Sequence, residues 1–155
     1  VAAVRNALSR QGVVNRMGDP AAKDELVLDL PDAVPPLVRV RQWVACALAD
    51  LGDDHVFAVQ LVATEVLTNA YDHAGGAHRI RLRRDGPSPE VLIEVDDGSP
   101  APPVLGDGNP KSLRGRGLVL VDRLATGWGY RAAAGGGKTV WAVVDCSVPA
   151  WSPRW

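Results

Sequence analysis

The sequence predicts an α+β fold, a two-layer sandwich whose mixed, mostly antiparallel sheet carries its helices on one face. Two observations predict it. Strand-like segments come in groups, at about 26–30, at 79–83 with 91–95, and at 126–131 with 139–145, and the helical segments fall between those groups. One long helical segment also bears an apolar stripe of Val59, Val62, Val66, Leu67 and Ala70 that must face a core. The chain has no internal repeat.

Residues 1–23 are poorly periodic, broken by Gly18, Asp19 and Pro20, and are expected to form a mobile arm ahead of a domain spanning 24–146. Leu26, Leu28 and Leu30 alternate with Val27 and Asp29, as in a strand. Pro35 and Pro36 suit a first helical turn; Leu37, Val40, Val44, Ala47, Leu48 and Leu51 then follow helical spacing until Gly52 stops the helix. Asp53 or Asp54 is the expected cap of the next helix, which ends at Gly75 and Gly76. A hairpin follows, with Ile80 and Leu82 opposite Arg79, Arg81 and Arg83, a turn through Asp85–Pro89, and a return strand Val91–Val95. Between Gly98 and Gly117 the chain is rich in Pro and Gly, a length at which loops serve as lids or stay disordered. Leu118–Ala125 reads as a short helix, and Thr126–Arg131 and Thr139–Asp145 as strands joined through Ala134–Gly137. Residues 147–155 read as a tail, whose Trp151 and Trp155 fit either a docking element or plain disorder.

With 155 residues the chain fits one domain with a real core. Charged residues make up 23% and the net charge is -1, so no global field points to nucleic acid. The two cysteines, Cys46 and Cys146, lack a Cys or His at ligand spacing, and the sequence shows no signal-peptide pattern and no apolar run of membrane-spanning length. These features indicate reduced thiols in a cytoplasmic protein without a membrane partner.

Four segments carry chemistry. Glu65, Asn69 and Asp72 lie within roughly 60° of one another on the long helix, at the border of its apolar stripe, where a carboxylate and an amide at i and i+4 can serve a metal ion. Asp96 and Asp97 end a strand before Gly98 and Ser99, and a carboxylate there can accept from an exocyclic amine such as that of adenine. Strand alternation puts Asp97 with Ile93 and Val95 on one face and favours it over Asp96. Gly115, Arg116, Gly117 and Leu118 open a helix, where backbone N–H groups and the helix dipole suit phosphate. Gly137, Lys138 and Thr139 open the last strand.

In this order, Glu65-x-x-x-Asn69, Asp97-Gly-Ser, Gly115-x-Gly-Leu118 and Gly-Lys-Thr139 resemble the ATP-binding (Bergerat-type) fold of gyrases, histidine kinases and MutL proteins. Within it the chain looks like the small anti-sigma factor serine kinases of the RsbW and SpoIIAB type, over about residues 26–145. The resemblance implies ATP and Mg²⁺ as cofactors, with Asn69 as metal ligand and Glu65 as general base toward a serine hydroxyl. It implies Asp97, with Ser99 in the same box, at the adenine, Gly115, Arg116, Gly117 and Leu118 around the phosphates, and Thr139 at the adenine end through a water. His73 either lines the phosphates or is a helix C-terminal cation. Implied partners are a sigma factor and a STAS-domain anti-anti-sigma protein, with a homodimer also allowed. The family's Asp-x-Gly-x-Gly box is here Asp97-Gly98-Ser99-Pro100-Ala101, which lacks both later glycines.

Other readings stand beside this one. A non-catalytic module of the same fold would sequester a partner, with ATP structural or absent. An output domain of a sensor kinase would need a phospho-accepting His on a preceding hairpin, and residues 1–23 contain no His. A P-loop would require Gly where Ala132 stands, and a helix after Thr139. The stripe Arg79, Arg81, Arg83 is a solvated strand face, open to an acidic protein partner, more readily than a nucleic-acid site.

Overall fold

A computed structural model describes residues 25–32, 34–84, 88–103 and 117–149. The chain forms β1 (Glu25–Asp29), α1 (Leu37–Ala47), α2 (Asp53–His73), β2 (Ala77–Arg84), β3 (Glu90–Asp97), α3 (Gly117–Leu124), β4 (Gly127–Ala132) and β5 (Lys138–Asp145). The strands make one five-stranded sheet in the order β1-β2-β3-β5-β4. The expected mixed sheet is antiparallel at all four pairings. The reason is topological. β3 and β4 do run parallel across the α3 crossover, but β5 turns back and inserts between them, so they never share a ladder.

One face of the sheet is apolar. Ile80 and Leu82 of β2, Val91, Ile93 and Val95 of β3, and Val140, Ala142 and Val144 of β5 are all buried there. Against them lie Val40 and Val44 of α1, Val59, Val62, Val66 and Leu67 of α2, and Leu118 and Val121 of α3, in a single continuous core. Helix α2 is the centre of this layer and meets β2, β3, β5, α1 and α3. Its residues Ala63 and Ala70, small and buried, allow that close approach.

The helix ends differ in detail from expectation. Neither Asp53 nor Asp54 caps α2: Gly52 is its N-cap, without a side-chain bond, and both carboxylates sit inside the first turn, where the helix dipole favours them. The C-terminal end turns through Gly75 and Gly76, whose φ values of 75° and 119° suit glycine. The Gly76 amide donates to Ala70 O, and the Tyr71 hydroxyl donates to Pro31 O, tying α2 to the exit of β1. Of the expected tail, residues 147–149 lie within the described part: Ser147 donates to the Asp145 carboxylate, and His55 Nε2 donates to Val148 O at 2.7 Å. The expected N-terminal arm and the tryptophans of the tail lie outside the described residues.

The helix-free face is a lattice of ion pairs rather than a simply solvated Arg stripe. Glu94 is 2% exposed and lies between Arg81, 3.4 Å away, and Arg131, which reaches across β5 from β4. Arg81 also meets Asp96 at 2.7 Å, Arg79 meets Asp29 at 3.0 Å and Arg83 meets Glu25 at 3.3 Å. Each pair follows from register, since Arg79, Arg81 and Arg83 face Asp29, Val27 and Glu25 on one side and Asp96, Glu94 and Leu92 on the other. Trp141 lies over Gly129, where an added Cβ would stand 2.8 Å from its ring.

Gly137 is the tightest point of the fold: a Cβ there would lie 2.0 Å from the Asp97 carbonyl oxygen. Gly137→Ala is therefore expected to spread β3 from β5 and cost about 1–3 kcal/mol or more. Urea unfolding measures this, and a midpoint equal to that of the native chain would refute the close approach.

Candidate functional site

Period-two alternation carries Asp97 to the end of β3 on the helix-covered face, in line with Ile93 and Val95, and leaves it buried. Asp96 turns to the opposite face, where Arg81 and the Thr139 hydroxyl donate to Asp96 Oδ1 at 2.7 and 2.6 Å. Thr139 thus does not join Asp97. Its neighbour Lys138 does, because Lys138 and Asp97 are direct cross-strand partners whose side chains share one face.

Lys138 Nζ donates to Asp97 Oδ1 at 3.0 Å and to Ser99 O at 3.3 Å, and both side chains of the pair are almost fully buried. Ser99 N donates to Asp97 Oδ1 at 2.9 Å, closing a turn after the strand. Asp97 Oδ2 is 2.9 Å from Lys138 Nζ, outside hydrogen-bonding geometry, and no hydrogen bond reaches it among the described residues. A buried carboxylate oxygen in that state is a ready acceptor for a ligand N–H, so this corner fits the exocyclic amine of a nucleotide base.

Helix α2 brings its own pair to the same layer. Glu65 and Asn69 are half-buried one turn apart, flanked by the fully buried Val62 and Val66, while Asp72 and His73 are exposed in the last turn. Burial raises the Glu65 carboxyl above its usual range, and among the described residues no cation offsets this. Asn69 offers an amide oxygen, the hard donor type that Mg²⁺ takes together with phosphate oxygens. Among the described residues no group of three or more His, Cys, Asp or Glu stands together for a metal, so a metal here would depend on ligand oxygens as well.

Helix α3 packs on α2, with Leu118 and Val121 in the core, and Gly117 starts it. Leu118 therefore anchors this helix rather than facing solvent. Gly115 and Arg116 lie outside the described residues. Helix α2, which carries Glu65 and Asn69, packs both on β3, which ends in Asp97, and on α3, which begins at Gly117. The fold leaves Thr139 on the far face.

Lys138 is the residue that the motif pattern passes over. The alternation Lys138, Val140, Ala142, Val144 carries a signal for it, since those positions share the core face. Glu94 escapes the motif pattern likewise, though it alternates with Ile93 and Val95 toward the Arg face.

One family of known proteins matches most of the chain. The family described as Histidine kinase-like ATPase domain matches residues 29–144. The AdeS histidine kinase of Acinetobacter baumannii is similar at 13% identity, covering 94% of this chain and 77% of that one, with a TM-score of 0.40. The histidine kinase domain of the Erythrobacter litoralis EL346 blue-light activated histidine kinase is similar at 18% identity, covering 95% and 84%, with a TM-score of 0.42. No curated protein matches the sequence. None of the helices among the described residues is long and apolar enough to cross a membrane. The family match runs from the last residue of β1 to the penultimate residue of β5, and on it the chain belongs to the histidine kinase-like ATPase domain family.

Proposed function

We propose that this domain is an ATP- and Mg²⁺-dependent serine kinase of the cytoplasm. It would act as an anti-sigma factor that regulates transcription by switching between a sigma factor and a STAS-domain anti-anti-sigma protein. The observation that carries the reading is Glu65: a desolvated carboxylate without a cation beside it among the described residues, one turn from Asn69. A carboxyl raised above its ordinary range is a better proton acceptor than a free one, which suits a base for a hydroxyl. Membership of the histidine kinase-like ATPase domain family supports ATP as the nucleotide.

Bound ATP with Mg²⁺ supplies the phosphoryl group and the charge neutralisation on which phosphoryl transfer mainly depends. Asn69 would hold the metal through its amide oxygen. Asp97 Oδ2 accepts the base N–H and orients the nucleotide. Glu65 takes the serine Oγ proton as the new O–P bond forms and the bond to the departing ADP breaks. The apolar surroundings of Glu65 keep its charge from being quenched by water.

A second reading, a non-catalytic module that sequesters its partner, has one observation in its favour. The Asp97 carboxylate is already neutralised by Lys138, so its charge is satisfied without a nucleotide.

Three outcomes test these statements. Mg-ATP at 100 times its dissociation constant should add about 2.7 kcal/mol, a rise of roughly 5–10 °C in the unfolding midpoint. Asn69→Ala should reduce that rise to the one ATP gives with EDTA. An unchanged midpoint for the native chain at millimolar Mg-ATP would end the nucleotide reading.

Glu65→Gln should bind Mg-ATP normally but fail to move radiolabel from ATP to a serine of the partner. Transfer at native rates in that variant would remove Glu65 from the chemistry. Binding without transfer in the native chain would favour the sequestering module.

The folded state of the native chain holds the Glu65 proton more tightly than the unfolded state, because the folded pKa is the higher one. The stability this provides is full below the ordinary carboxylate pKa and is lost as pH rises through the folded value. Glu65→Gln is thus expected to raise the unfolding midpoint at pH 8 relative to the native chain, and that gain should vanish toward pH 4. A difference independent of pH would contradict the desolvation.

A further inference from the structure

The Lys138–Asp97 pair has a property that packing alone does not explain. Its side chains are 4% and 1% exposed at the adjoining ends of β5 and β3. Replacing a buried ion pair by apolar residues of similar volume is often neutral or stabilising, so stability gives little reason to keep one at this place. What the pair does provide is a donor and an acceptor side by side. An ammonium has three N–H groups, and two of these are directed to Asp97 Oδ1 and Ser99 O. Asp97 Oδ2, next to the same ammonium, is buried and takes no hydrogen bond among the described residues.

A lone carboxylate can only accept. It satisfies the N6 amine of adenine but faces O6 of guanine as a second acceptor, so it rejects a 6-oxopurine by leaving buried oxygens unpaired. An ammonium in contact with the carboxylate removes that conflict. Guanine then gives its N1–H to Asp97 Oδ2 and takes an N–H of Lys138 at O6. Adenine gives its N6–H to Asp97 Oδ2 and needs no donor from Lys138.

We infer that Lys138 is the second base-reading group of the nucleotide site, and that with Asp97 it admits GTP alongside ATP. The inference rests on the nucleotide-binding reading above. Lys138 reads the base rather than the phosphates, so its removal changes the preference between purines more than the binding of either nucleotide's triphosphate.

Isothermal titration calorimetry of the full chain with Mg-ATP and with Mg-GTP tests this. The native chain should bind the two with dissociation constants within about tenfold of each other. Lys138→Met should weaken GTP relative to ATP by roughly tenfold to a hundredfold, the loss expected for one hydrogen bond from a charged group. Lys138→Arg, which keeps charge and donor, should retain GTP. Circular dichroism checks folding, and if Lys138→Met is unfolded the native ratio and Lys138→Arg still decide the matter. A native chain that binds ATP and discriminates against GTP by more than a thousandfold would overturn the role of Lys138 and leave the ATP site standing. An unchanged ratio in a folded Lys138→Met would overturn that role in the same way. A folded native chain that binds neither nucleotide would overturn both.

Discussion

The burial of one stripe of α2 is the constraint on which the rest of the domain depends. Val59, Val62, Ala63, Val66, Leu67 and Ala70 are almost completely withdrawn from water against β2, β3 and β5 and the flanking helices. At about 25 cal/mol per Å² of apolar surface, such a stripe dominates the stabilisation of a small core, and its axis decides where neighbouring positions come out. Glu65 and Asn69 emerge at the margin because they share the turns of Val62 and Val66 without sharing their side of the helix. The chemistry of the site is thus a by-product of how the helix must lie.

Charge in this protein is arranged in two distinct ways. On the helix-free face, Glu94 joins Arg81 and Arg131 while Asp29, Glu25 and Asp96 meet Arg79, Arg83 and Arg81. The exposed pairs there add little each. The buried Glu94 matters more, since losing either guanidinium would leave its carboxylate poorly compensated in a dry place. The pairs also bind one register: a one-residue slip between β2 and β3 would set the arginines against Ile93 and Val95. On the helix-covered face Arg84 meets Asp50 at 2.9 Å near its exposed edge, while the pair Lys138 with Asp97 is buried at the adjoining ends of β5 and β3.

The candidate site is built from elements that already have structural duties. Asp97 prolongs the apolar row of β3, Leu118 anchors α3 in the core, and Gly137 lets β5 start close to the Asp97 backbone. Ligand binding and folding therefore draw on the same contacts, and a ligand held here would couple α2, α3 and the β3–β5 seam. One ligand there could alter several surfaces at once.

Sequence by itself determined the element order, the apolar faces and the class of fold. Period-two and period-3.6 patterns report which side of each element is buried, and that side is set by the chain's own residues. It also determined the α2 pair Glu65 and Asn69, and the preference for Asp97 over Asp96 as the inward carboxylate, since both follow from periodicity within one element. Tertiary structure alone decided what lies across from what. The insertion of β5 between β3 and β4 made the sheet antiparallel throughout, sent the Thr139 hydroxyl to Asp96, and set Lys138 against Asp97. Gly52 took the cap expected of Asp53 or Asp54 because the turn after α1 settles where α2 begins. Cross-strand neighbours come from register between segments distant in sequence, and no local pattern encodes that register.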